Sequence, residues 1–405
     1  MIKVSVFKKG LFMEKTSVTP KLLKENFIKI YGFKDGVRIF KSPARINIIG
    51  EHIDYNGGKV LPTAIDRFLY CAIRKRPDTK IVYSDLLFPG TYSFDINDDF
   101  IFDSANDYAN FLNGIISCMK KSGFEFPCGF DVLIGSNIPS AGGISSSSAL
   151  ECGFAWAVNE TFGFNISRKE IALMGQKSEH EFINVNCGIM DQYIIATAKK
   201  NTAELIDCAK IEHEYVPLKL GDYRFIVMNS KKQRKLSDSK YNERRAQCEE
   251  GLTILQDAGY DFPNLCAITP ELFDEACPLI KDDEIYRRVR HCVTEMDRVL
   301  RAVDALKANN LAELGTLLYA SHASLRDDYE VTGIELDTLV DEASKQHGCI
   351  GARMTGAGFG GCAIAIVHKD SIDSFIKNTG DAYKRVIGYE GDFFACSSGD
   401  GVSEI

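Results

Sequence analysis

Phe130, Val132 and Ile134 stand at period two, the spacing of a strand, and a largely apolar stretch from Ala149 to Val158 follows that is too long to be another. Between them lie the small residues 139–149, PSAGGISSSSA, so the pattern predicts a strand, a loop and the start of a helix. Further strands are predicted at 37–42 (VRIFKS), 80–85 (KIVYSD), 129–135 (GFDVLIG) and 202–208 (TAELIDC). The second half opens on a strand at 225–230 (FIVMNS), and 362–369 (CAIAIVHK) reads as a buried one. Val293, Met296, Leu300, Val303 and Leu306 recur at helical spacing and predict one apolar helix face. The polar stretch 212–222, EHEYVPLKLGD, separates two strands and suggests a division into domains 1–217 and 218–405.

A chain of 405 residues exceeds the usual size of a single core, which agrees with two domains. There is no internal repeat or low-complexity tract. The net charge of −8, with no dominant lysine-arginine block, argues against a nucleic-acid partner and leaves room for a local basic pocket. The 13 cysteines are odd in number, scattered and without a C-x-x-C pair, which predicts reduced thiols in a cytoplasmic protein. No segment has the length of a membrane span, and MIKVSVFKKGLFMEK at the start lacks the apolar run of a signal peptide.

The 139–149 loop can bring backbone N–H groups against a phosphate at a helix N-terminus, and its hydroxyls can donate to phosphate oxygens or ligate Mg²⁺. The competing reading is a solvated turn with a serine N-cap. From Arg45 to Gly58 the chain reads RINIIGEHIDYNGG, with Glu51, His52 and Asp54 clustered ahead of an Asn-Gly turn. Such groups can hold sugar hydroxyls through several hydrogen bonds, and the alternative is an exposed charged turn. A zinc site does not fit the adjacent Glu51 and His52. In CGIMDQ, residues 187–192, Asp191 lies among Ile189, Met190 and Tyr193, so its carboxylate is expected to be partly buried and to need a cation. Arg45 is the only arginine or lysine of the 45–58 motif and is the expected partner, with helix capping as the other role for Asp191. Gly356, Gly358 and Gly361 satisfy G-x-G-x-x-G, yet a strand pattern follows them where a dinucleotide site requires a helix. The Walker and protein-kinase signatures are missing.

Six segments then carry a resemblance, in order: RINIIGEHIDYNGGKVLP, PSAGGISSSSAL, CGIMDQ, YNERRAQCE, SHASLRDDYEV and GARMTGAGFGGC. From about Lys41 to Cys396 the chain resembles the galactokinases of the GHMP small-molecule kinase family. The resemblance implies an α+β, two-lobed GHMP kinase fold, with a ribosomal-protein-like β-α lobe followed by a ferredoxin-like lobe and the substrates in the cleft between. It implies transfer of a phosphoryl group from ATP to the C1 hydroxyl of galactose, with Mg²⁺ as cofactor and galactose and MgATP as partners. The chain is expected to act as a monomer, away from membranes and nucleic acid.

On that resemblance Asp191 would take or orient the proton of the sugar hydroxyl, and Arg45 would keep it charged and meet the transferred phosphoryl group. Glu51, His52, Asp54, Gly188 and Tyr241 would contact the sugar. Gly142, Gly143, Ser145, Ser146, Ser147 and Ser148 would cradle the nucleotide phosphates, Ser147 and Glu179 would hold Mg²⁺, and the loop from Thr355 to Gly361 would shape the site from the second domain. The chain departs from the family pattern at Ala44 (often Gly), Ile53 (usually Thr), Ser148 (commonly Ala) and Tyr108 (often Trp near the adenine). Another GHMP kinase would share the phosphate loop, but the GEHIDYN stretch and Tyr241 favour galactose. A non-catalytic sugar sensor would be expected to have lost part of the serine loop, which is whole here. A scaffold protein would have no use for six such motifs.

Overall fold

The computed structural model describes residues 18–88, 90–139, 143–232 and 237–405. The first lobe contains α1 (Pro20–Tyr31), β1 (Arg38–Asn47), β2 (Lys59–Val60), β3 (Pro62–Lys75), β4 (Lys80–Asp85), β5 (Thr91–Asp95), α2 (Ala109–Lys121), β6 (Phe130–Ser136), α3 (Ser146–Phe162), α4 (Arg168–Ser178), α5 (Met190–Thr197), β7 (Thr202–Asp207) and β8 (Glu212–Pro217). The second contains β9 (Tyr223–Asn229), α6 (Ser237–Asp257), α7 (Pro270–Ala276), α8 (Asp283–Lys307), α9 (Leu311–Asp327), α10 (Ile334–Ser344), β10 (Cys349–Thr355), β11 (Cys362–His368), α11 (Ile372–Ile387) and β12 (Asp392–Cys396), and β13 (Ser403–Glu404) closes the chain.

The larger sheet has the order β13-β1-β3-β6-β4-β5, with α3 lying across β1 and β3. The second sheet, β10-β11-β9-β12, is antiparallel throughout and packs against α9, α10 and α11. A three-stranded sheet, β2-β7-β8, sits beside α8, which also packs on α6 and α9. Through α8 the apolar core runs without a break from one lobe into the other.

Two local features aim the site. The register of β1 against β3 shifts between Pro43 and Ala44, directly before Arg45. Proline has no N–H to give the ladder, and an irregularity of this kind bends the strand and re-aims the residue that follows. Helix α4 runs into one π turn, Glu179–Ile183, which ends at Asn184 in the left-handed region (φ 66°). The chain then returns as the 185–189 segment that carries Gly188 into the cleft.

Three expectations change. Residues 212–217, read as part of a polar divider, form β8; it is an edge strand whose polar residues face outward while Val216 is buried. The switch between sheets therefore falls in the short stretch from Pro217 to Tyr223. Leu300 is 42% exposed although it matched the apolar spacing, because the buried row of α8 runs through Cys292, Glu295, Val299, Ala302 and Leu306, one helical position away. Finally, the end of the chain returns to the first lobe, where β13 pairs with β1 and Ser398 bridges Ile65.

Candidate active site

Arg45, 3% exposed at the end of β1, meets Asp191 in the first turn of α5. Its Nε donates to Asp191 Oδ1 at 2.7 Å and its Nη2 to Oδ2 at 2.6 Å, the forked geometry of a strong arginine–carboxylate pair. Arg45 Nη1 donates to the carbonyl of Gly143 at 2.7 Å, which ties the serine loop to the pair. The Ser145 hydroxyl donates to Asp191 Oδ2. An ionised carboxylate offers about four lone-pair sites. Three of those on Asp191 are filled by protein donors, and its side chain is 27% exposed toward the cleft.

Glu51, His52 and Asp54 line the same cavity as Arg45 and Asp191, with Gly188 and Tyr241 opposite. Glu51 Oε1 accepts from the N–H of Gly356 at 2.9 Å and Oε2 from Asn47 Nδ2 at 2.7 Å, and the Arg353 guanidinium forms an ion pair with Oε2 at 2.5 Å. Burial raises its pKa to about 7 against the opposing pull of Arg353. For Asp54 burial, followed by the Asp191 charge, raises the pKa to about 6. Tyr241, from α6, sets its ring 5.6 Å from His52 and 5.3 Å from Tyr55.

His52 lines the cavity with its ring already bonded within the protein. Its backbone is left-handed (φ 64°), and both ring nitrogens have protein partners: Nδ1 lies 2.8 Å from the Tyr55 hydroxyl and Nε2 3.2 Å from the Ala357 carbonyl. Burial, then the neighbouring His291, pushes its pKa down to about 3, so the ring is neutral. A carbonyl can only accept, which places the proton on Nε2. Nδ1 therefore accepts from Tyr55, Tyr55 accepts from Tyr329 at 2.9 Å, and Tyr329 accepts from the Cys248 thiol at 3.1 Å. His52 thus shapes the pocket wall and leaves its hydrogen bonds inside the protein.

Gly188 allows a close approach. A Cβ at this position would lie 1.6 Å from Asp54 Oδ2, so the carboxylate occupies the space of the missing side chain. Gly188→Ala is expected to destabilise the protein by about 1–3 kcal/mol through overpacking, read as a lower urea midpoint at unchanged slope. An unchanged midpoint would show that Asp54 can swing aside without cost.

Of the loop assigned to phosphate, Gly142 lies outside the described residues. Gly143 has φ +113° and packs so that a Cβ would meet the N–H of Cys362 at 3.0 Å. Ser145 sits in the left-handed region (φ 59°) ahead of α3, makes no cap bond, and gives its hydroxyl to Asp191. Ser146 is exposed and Ser147 half-buried, whereas Ser148 is 3% exposed within the first turn of α3. Glu179 begins the π turn, 6% exposed. Beside it is fully buried Glu151, whose pKa rises well above the carboxylate range through burial and then the Glu179 charge. Among the described residues no group of three or more His, Cys, Asp or Glu side chains could hold a metal by itself.

The departures from the family pattern avoid the Arg45–Asp191 pair. Ile53 is fully buried, away from the cavity, and Tyr108 is 6% exposed, edge-on to Tyr92 at 5.3 Å. Sequence reasoning missed Tyr55, Asn184, Asn186, Met190 and Asn242 in the cavity wall. Tyr55, Met190 and Asn242 lie within the quoted motifs, and their types alone did not mark them. It also missed Arg353, fully buried on β10 in GARMTG.

The comparisons with known proteins find relatives over almost the whole chain. A family model for the galactokinase galactose-binding signature matches residues 25–75, one for the GHMP kinases N terminal domain matches 110–199, and one for the GHMP kinases C terminal matches 302–384. A galactokinase of Clostridium perfringens is 45% identical over 385 residues, covering 95% of this chain and 99% of the relative. One of Lactiplantibacillus plantarum is 44% identical over the same share of each chain. The crystal structure of Lactococcus lactis galactokinase complexed with galactose superposes with a TM-score of 0.92 at 42% identity, over 95% of this chain and 99% of that one. The Methanococcus jannaschii mevalonate kinase, at 20% identity and a TM-score of 0.66 over 91% and 100% of the two chains, shares the fold. With relatives this similar over almost its whole length, and with an α+β fold of two lobes that matches theirs, the chain belongs to the galactokinase family of GHMP kinases.

Proposed function

We propose that this cleft phosphorylates galactose at its C1 hydroxyl from ATP, with Asp191 receiving the proton and Arg45 holding Asp191 in place. The observation that carries the reading is the Asp191 carboxylate: three protein donors fix it, and one lone-pair site is left for a hydroxyl in the cleft. Phosphoryl transfer passes through a loose transition state, so positioning and charge supply most of the acceleration. Asp54 and Glu51 accept from sugar hydroxyls, Tyr241 and the His52 ring form the apolar wall, and Gly188 lets the Asp54 carboxylate lie flat against the backbone. Gly143, Ser146 and Ser147 face the nucleotide phosphates.

Ser147 and Glu179 would hold Mg²⁺. They fit it as hard oxygen donors, Ser147 half-buried at the start of α3 and Glu179 at the head of the π turn. Bound Mg²⁺ supplies neutralisation of the phosphate oxygens. The 13 cysteines form no disulfide among the described residues, which suits a reducing cytoplasm, where we place the protein as a monomer. Among the described residues no helix is long and apolar enough to cross a membrane.

An ADP-release assay across galactose, N-acetylgalactosamine, glucose, arabinose and mevalonate tests the substrate, with galactose expected to lead. Asp54→Asn is expected to raise the galactose KM ~10–100-fold, the loss of a charge-assisted hydrogen bond, and to leave the ATP KM in place. Equal effects on both substrates would remove Asp54 from the sugar site.

A further inference from the structure

Glu51 is a proposed sugar ligand whose carboxylate partners come mainly from the other lobe. Arg353 on β10 and the N–H of Gly356 just beyond it both reach back to its carboxylate. Arg353 is fully buried and Glu51 is 1% exposed, so the charge of each must be met by the other. Arg353 Nη1 lies 2.5 Å from Glu51 Oε2 and also donates to the carbonyls of Ile48 at 3.1 Å and Asn47 at 3.3 Å, just before the Glu51 motif. Asn47 Nδ2 supplies the remaining donor to Glu51.

We propose that Arg353 is a positioning residue for sugar binding: from the second lobe it fixes the Glu51 carboxylate so that one lone pair is left for a sugar hydroxyl. Gly356 holds Oε1, and Asn47 together with the Arg353 charge holds Oε2, which leaves the second lone pair of Oε1 for the sugar. Only the ionised carboxylate can accept there. The charged groups that act on Glu51 are Arg353 and Glu295, with Arg45 facing it across the cavity and His291 donating to its backbone carbonyl at 3.1 Å. Glu295 is itself held ionised by Arg298, His291 and Arg353 against its burial, so it adds a negative charge near Glu51. Arg353 is the cation that opposes both that charge and the burial of Glu51.

The inference rests on galactose being the sugar, and the test separates the two. Galactose affinity is measured by titration calorimetry, and both KM values by steady-state kinetics, for the wild type, Arg353→Met, Arg353→Lys, Glu51→Gln and the Glu51→Gln/Arg353→Met pair. Arg353→Met is expected to weaken galactose ~10–100-fold, with the ATP KM within about threefold of wild type. The acid limb of galactose kcat/KM should move to higher pH, because the burial of Glu51 then loses its largest opposing influence, while Arg353→Lys keeps the charge and holds the limb near its original place. In the Glu51→Gln background, loss of Arg353 should cost galactose affinity almost nothing further. Additive losses in that cycle, or an acid limb that stays where it was in Arg353→Met, overturn the role of Arg353. If Arg353→Met does not fold, Arg353→Gln carries the same comparison. A wild-type protein that binds no galactose overturns the assigned sugar instead.

Discussion

Asp191→Asn is expected to bind galactose with an affinity close to wild type and to phosphorylate it about 10²–10⁴-fold more slowly, the range lost when a positioned proton acceptor is removed. The substitution keeps the shape of the side chain, so the cavity wall formed by Asp191, Met190 and Gly188 stays in place. What changes is the chemistry of its two oxygens. As a carboxylate, Asp191 accepts from Arg45 Nε, Arg45 Nη2 and Ser145, and turns its remaining lone pair to the cleft. As an amide it has one oxygen and one NH₂ group. Whichever way the amide turns, its NH₂ faces one of the two Arg45 nitrogens, donor against donor, and its remaining neutral oxygen is too weak a base to take the proton. Single-turnover kinetics with saturating galactose and ATP isolate the chemical step, and calorimetry reports the sugar affinity separately. Turnover within about tenfold of wild type would remove Asp191 from the reaction. The variant should also unfold more readily, because Arg45 is 3% exposed and would keep its charge without a matching anion.

The sequence revealed those parts of the molecule where local pattern and burial agree. Strand β6, the serine loop and α3 were legible because period two gives way to an apolar run across a loop of small residues. The pairing of Arg45 with Asp191, 146 positions apart, was legible for a different reason: a carboxylate among Ile189, Met190 and Tyr193 demands a cation, and the first motif offers one. Where a residue's role depends on a turn of the backbone, the pattern was silent. Ser145 reads as an N-cap or a phosphate donor, and only its left-handed backbone sends the hydroxyl to Asp191. The same holds for His52, whose ring turns to Tyr55 and Ala357. Leu300 shows the limit of spacing: it shares the helical period of its neighbours yet lies outside the row that meets the core. Arg353 was invisible because a charge inside an apolar strand shows a need for a partner without saying which, and Glu51 comes from the other lobe.

Arg45→Lys should cost nearly as much as Arg45→Met, about 10²–10³-fold in kcat, the scale of losing a preorganised donor to a charged centre. The reason is geometric. Arg45 uses three separate nitrogens: Nε and Nη2 on the two Asp191 oxygens, and Nη1 on the Gly143 carbonyl. A lysine keeps the charge but concentrates its donors at one point, so it can serve one Asp191 oxygen or the Gly143 carbonyl and not all three groups. The consequence reaches two substrates. Loss of the bonds to Asp191 frees the proton acceptor to rotate, which lowers kcat. Loss of the bond to Gly143 releases the loop that leads through Ser145 to Ser146 and Ser147, which should raise the ATP KM as well. Asp191→Asn leaves the Gly143 bond intact and should leave the ATP KM near its original value. Steady-state kinetics on both variants compare the two residues directly: a kcat loss shared by both, with an ATP KM increase confined to the Arg45 variants, is the expected result. If Arg45→Lys retains wild-type kcat and ATP KM, a simple positive charge suffices at this position, and the forked contact between β1, α5 and the serine loop has no part in catalysis.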